Sequence, residues 1–84
     1  MTSDQIKAMI EGGIPGAVAH VEGDYGVHFA ARIVFDGFAG LNAVKRHQLV
    51  YKALGTHMGQ AIHALSIQTY TGEEWQHQQP FKTL

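Results

Sequence analysis

The chain is predicted to fold as an α+β domain: a small three-stranded mixed sheet with helices on one face. Three observations predict it. Apolar residues recur at helical spacing in "SDQIKAMI" and in "NAVKRHQLVYKAL", and they alternate at strand spacing in "VHFAARIVF". The segments run in the order helix, strand, strand, long helix, strand, helix. A hairpin followed by a helical crossover builds a mixed sheet, and its apolar face needs helices to cover it.

The elements follow in order. In "TSDQIKAMIEGG" Thr2 and Gln5 have the spacing of a capping box, and Ile6, Met9 and Ile10 form an apolar stripe. Gly12 and Gly13 end this helix, and Ile14-Pro15-Gly16 turns the chain. A first strand spans Ala17 to Val21, a turn cluster Glu22 to Gly26, and a second strand Val27 to Phe35. In the second strand Val27, Phe29, Ala31, Ile33 and Phe35 share the face that carries the large apolar groups. That face turns to the core, with His28, Ala30, Arg32 and Val34 opposite.

Asp36 to Asn42 breaks regular structure, and Asn42 caps a helix expected to reach Met58. Ala43, His47, Val50, Leu54 and Met58 fall on its apolar stripe, whereas Lys45, Gln48 and Lys52 lie off it. A third strand spans Ala61 to Tyr70, with His63, Leu65, Ile67 and Thr69 on one side. Thr71 and Glu74 form a second capping box on a short helix. Residues 77–84 are polar, contain Pro80 and read as a frayed tail.

Composition bounds the function. The 84 residues make one domain, 1–84, and a hydrophobic content of 45% argues against wholesale disorder. The net charge of −1 gives no general attraction to polyanions, so nucleic-acid binding needs a local basic patch. With no cysteine the chain has no disulfide, thiolate nucleophile or zinc-thiolate site, which suits a reducing cytoplasm. The N-terminal stretch lacks the pattern of a signal peptide, and no segment approaches a membrane span.

Six histidines stand out: His20, His28, His47, His57, His63 and His77. No HxH or HxxxH falls within one element, so a metal site would need tertiary structure to bring together residues such as His28 and His63. His47 lies in an apolar stripe and reads as a partly buried, hydrogen-bonded tie between helix and sheet. His63 shares strand parity with Leu65 and Ile67, and it also opens its strand. His28 lies opposite the apolar face beside the "EGDYG" turn and is the most accessible of the three. His20, His57 and His77 read as surface residues. Lys45, Arg46 and Lys52 place half of the six basic residues on one helix, as a solvated face or as a phosphate-contacting patch. Before that helix "GFAG", Gly37 to Gly40, has the GXXG form with which KH domains approach a nucleic-acid backbone. No nucleophile–base pair, P-loop or dinucleotide fingerprint is present.

The block "HFAARIVFDGFAGLNAVKRHQLVYKAL" followed by "IHALSIQTYTGEEW" resembles the BolA family, especially its short, IbaG-type bacterial branch. The resemblance runs from the Ile-Pro-Gly turn to Trp75. It implies a class II KH-like topology, αββααβα, with a short extra helix around Phe35 to Gly40. It implies a non-enzymatic partner of a monothiol glutaredoxin, sharing with it a glutathione-dependent [2Fe–2S] cluster in iron–sulfur trafficking or iron homeostasis. A role in transcriptional regulation and stress response, with DNA or RNA as ligand, is the other function it implies. On this resemblance His63 in "IHAL" is the expected cluster ligand and His28 in "GVHF" the nearest match for a second. Lys45, Arg46 and His47 match the family's "KRH" on the partner or nucleic-acid surface.

Overall fold

The computed structural model describes residues 1–24, 28–58, 62 and 64–78. Helix α1 spans Ser3–Gly13, strand β1 Val18–Asp24, strand β2 His28–Val34, helix α2 Ala43–Leu54, strand β3 Ala64–Tyr70 and helix α3 Gly72–His77. A 3₁₀ turn, Asp36–Phe38, precedes α2 and supplies the short extra helix of the expected topology. A second, Gly55–His57, follows α2.

The sheet order is β1-β2-β3, with β1 antiparallel and β3 parallel to the central β2. The caps are local chemistry. Gln5 N–H donates to Thr2 Oγ1, and Thr2 N–H donates to Gln5 Oε1. Thr71 and Glu74 repeat the arrangement at α3, and Lys45 N–H donates to Asn42 Oδ1 at α2. Each bond satisfies a helix-terminal N–H that has no partner within its helix.

One core lies between the sheet and the pair α1 and α2. Ile6 and Ile10 of α1, Val50 and Leu54 of α2, and Phe29, Ala31 and Ile33 of β2 are buried in it. Ile14, Ala17, Ala19, Ile62 and Phe38 belong to it as well. Alternation therefore runs as expected from His28 to Val34, with Phe35 half-buried just past the strand and Val27 outside the described residues. Leu65 and Ile67 pack against this core but stay half-buried, because β3 is an edge strand. Helices α1 and α2 form the layer on the core face, whereas α3 starts at the end of β3 and lays Trp75 against His20 on the opposite face.

Several boundaries differ from the sequence expectation; β1 starts at Val18 rather than Ala17, and β2 ends at Val34 rather than Phe35. Helix α2 stops at Leu54 rather than Met58, because Gly55 takes φ +59 and its N–H donates to Tyr51 O. Glu22 to Asp24 belong to β1 rather than to a turn, because Ala30, Phe29 and His28 of β2 give them ladder partners. The described part of β3 is Ala64–Tyr70, and Ala61 and His63 of the expected strand lie outside the described residues. His77 closes α3, so the helix continues one residue into the expected tail.

Candidate functional site

His28 is the first residue of the central strand. Its backbone pairs with Asp24 of β1 on one side and with Ala64 of β3 on the other. The next residue, Phe29, is buried and anchors the strand, while the His28 side chain is exposed. An imidazole is thus held by a fixed backbone at the mouth of the sheet, where β1 ends and both β2 and β3 begin. His63 lies outside the described residues. Of its two chain neighbours, Ile62 is fully buried and donates its N–H to His57 O at 2.9 Å, and Ala64 is in the ladder beside His28. Among the described residues no three His, Cys, Asp or Glu side chains converge closely enough to hold a metal ion.

On α2 the "KRH" residues separate into three environments. Lys45 is exposed, as is Lys52, which lies seven residues further on and so on the same helix face. His47 is half-buried and stands edge-on to Tyr51, with ring centroids 6.5 Å apart. The tie from α2 to the sheet comes from Arg46, not from His47. The Arg46 side chain is only 13% exposed, and its Nη1 lies 2.7 Å from Glu74 Oε1. Its Nε donates to Leu41 O at 2.9 Å and its Nη1 reaches Thr69 O at 3.5 Å. The guanidinium also sits 5.6 Å from the centre of the Phe38 ring. Five donors on a planar fork suit this bridging between elements better than a lysine would. Its basic charge is therefore spent inside the scaffold, and the solvent-facing basic charge on α2 is that of Lys45 and Lys52.

The "GFAG" segment carries an exposed Gly37 and an exposed Gly40 on either side of Phe38, which is fully buried. Gly40 has φ +80, so the chain turns sharply into the α2 cap there. Phe38 anchors the segment in the core and leaves the backbone of Ala39 and Gly40 at the surface.

Two carboxylates are held below the usual carboxylate range. The Ala19 N–H, and then the Lys7 ammonium, favour the charged form of Glu11. The Arg46 guanidinium, and then the Thr71 N–H, do so for Glu74.

The sheet face away from the core carries a cleft of about 550 Å³ lined by His20, Glu22, Arg32, Gln68, Tyr70 and Trp75. His20, Arg32 and Gln68 are ladder neighbours in one row across the three strands. Arg32 Nε donates to Gln68 Oε1 at 3.3 Å. The His20 and Trp75 rings are stacked, 5.0 Å apart and 10° from parallel. From the sequence His20 reads as a surface residue, and it is exposed. Strand parity could have placed it on the open face, but its partner lies in another element and carries no local signal.

A family model described as BolA-like protein matches residues 15–74. This chain belongs to the BolA-like protein family. A BolA protein homologue from Coxiella burnetii has a similar structure, with a TM-score of 0.82 and 45% identity, over 90% of this chain and 97% of that one. The acid stress protein IbaG of Escherichia coli K12 is 36% identical over 76 residues, 89% of this chain and 89% of that protein. This match over nearly the full length of both proteins agrees with the IbaG-type branch. The DNA-binding transcriptional regulator BolA of Vibrio cholerae is 49% identical over 49 residues, 58% of this chain. The match covers 46% of that regulator, so it spans less than half of its length. Among the described residues no helix is long and apolar enough to cross a membrane.

Proposed function

We propose that this chain acts without catalysis as the cytoplasmic partner of a monothiol glutaredoxin. It shares with that partner a glutathione-dependent [2Fe–2S] cluster, in iron–sulfur trafficking or iron homeostasis. The observation that carries the proposal is the placing of His28: an exposed imidazole on a rigid strand start, paired in the ladder with Ala64, the residue that follows His63 in the chain. The donor set fits a shared group and not a self-contained one. The chain has no cysteine, so every thiolate must come from outside it, and this chain offers imidazoles.

His28 and His63 would hold the group from this side. Imidazole ligands place less negative charge on an iron than thiolates do, which raises the potential of such a cluster. Each imidazole must be neutral to coordinate, so acid should weaken the complex. The test mixes the purified chain with cluster-loaded monothiol glutaredoxin and glutathione and records visible circular dichroism. Loss of the mixed-ligand spectrum in both His63→Ala and His28→Ala supports the assignment. An unchanged spectrum and cluster lifetime in His63→Ala refutes it.

A second reading, nucleic-acid binding in transcriptional or stress regulation, is favoured by one specific pairing. Lys45 and Lys52 are exposed on one helix face, and the surface backbone of Gly37 to Gly40 leads into that helix. Relatives named as DNA-binding regulators support it. Phosphate contacts would supply affinity there, with base specificity from elsewhere.

A further inference from the structure

Strand β1 is an edge strand, and its outer edge is occupied at one point. Ala19 N–H donates to Glu11 Oε2 at 3.0 Å. Lys7 Nζ donates to Ala19 O at 2.8 Å and to Glu11 Oε2 at 2.7 Å. Two side chains one turn apart on α1 thus take both outward backbone groups of a single strand residue. An open edge is a template for pairing with another chain.

The register shows what that template would accept. The backbone groups of Ala19 point outward, so by alternation those of Val21 and Gly23 do too, while His20 and Glu22 pair inward with Arg32 and Ala30. A second copy of β1, antiparallel about a twofold axis at Val21, opposes Ala19 to Gly23 and Val21 to Val21. Every outward group then meets an outward group. The same register opposes His20 to Glu22 twice, on the open face, where both are exposed. An imidazole thus meets a carboxylate at each of the two symmetric positions. A slip of one residue loses the hydrogen-bond phase and the face together.

We propose that Lys7 and Glu11 form a latch over a latent homodimer interface, in which β1 pairs antiparallel with β1 of a second copy about Val21. Closed, the latch fills the Ala19 positions of that ladder and keeps the chain single. Open, it frees a self-complementary edge whose twofold contact closes on itself.

Sedimentation equilibrium from micromolar to millimolar concentration tests this with the full chain. Wild type is expected to remain a monomer. Glu11→Ala is expected to dimerise with an association constant at least about tenfold above wild type. Adding Glu22→Lys, which sets a cation opposite His20 and leaves the latch residues alone, should return association to the wild-type level. Lys7→Met keeps the methylene stem and frees the Ala19 carbonyl, so it decides the matter should Glu11→Ala fail to fold. Folded variants that associate no more than wild type overturn the proposal. So does a dimer that Glu22→Lys leaves intact, or a wild type that already pairs through β1.

Discussion

Arg46 and Glu74 join α2 to α3 through a two-pronged ion pair, with Nη1–Oε1 at 2.7 Å and Nη2–Oε2 at 3.3 Å. Glu74 also caps α3 by accepting from Thr71 N–H, so one carboxylate serves the helix start and the bridge together. An exposed ion pair contributes little, but Arg46 also donates to two backbone carbonyls and covers Phe38. Arg46→Ala should therefore cost ~1–3 kcal/mol of stability by urea denaturation. Arg46→Lys should recover only part of it, because an ammonium cannot make the forked contact. Equal stability of all three proteins would remove Arg46 from the scaffold.

Core truncations should grade with burial. Leu54→Ala, at a site 1% exposed, should cost ~2–5 kcal/mol. Ile67→Ala, at a half-buried site on the edge strand, should cost clearly less, since part of its surface already meets water. Thermal and urea unfolding of the two variants measures the difference, and a larger loss at Ile67 would contradict the placing of β3.

Two adjacent glycines should respond with opposite signs. A Cβ at Gly13 would lie 2.7 Å from the Cβ of Ala53, where α1 meets α2, whereas a Cβ at Gly12 meets nothing within 4 Å. Gly12→Ala should stabilise the domain by ~0.5–1 kcal/mol through helix propensity. Gly13→Ala should destabilise it, because helix α1 must move off α2 to admit the methyl group. Melting temperatures of the two single variants provide the comparison.

Stability should fall on acidification below the usual carboxylate range. Glu11 and Glu74 titrate lower in the folded chain than in the unfolded one. Between the two values the unfolded chain binds more protons, so the stabilisation is present above the unfolded value and is lost as pH falls through the folded one. Urea midpoints measured against pH should show this slope, and Glu11→Gln with Glu74→Gln should flatten it. An unchanged slope in the double variant would show that other groups carry the acid response.

Nucleic-acid binding, if it occurs through α2, should respond to Lys45→Glu and Lys52→Glu without loss of fold. Each lost phosphate contact should lower the slope of log affinity against log salt by ~1. Reversing Arg46 is a poor probe, because it breaks the bridge to Glu74 at the same time. Fluorescence anisotropy with single-strand and duplex probes at low salt gives the reading, and no binding by wild type would end this hypothesis.

The sequence by itself determined the elements and most of their chemistry. Both capping boxes, the Asn42 cap and the core parity of Phe29, Ala31 and Ile33 follow from contacts within three or four residues, or from strict alternation along one strand. The family was legible for the same reason: its motif is a contiguous pattern. Tertiary structure alone decided which charged and aromatic groups are spent on the fold. Arg46 and Lys45 are neighbours in the chain, yet one is 13% exposed under Glu74 and the other faces water. Lys7 and Glu11 meet Ala19 only once β1 is laid beside them, and His20, a surface residue as expected, gains its stacking partner only when Trp75 returns across the sheet. Those outcomes depend on residues eight to fifty-five positions away. Local sequence carries no periodic signal at such separations, because the contact exists only once packing has fixed where the elements lie.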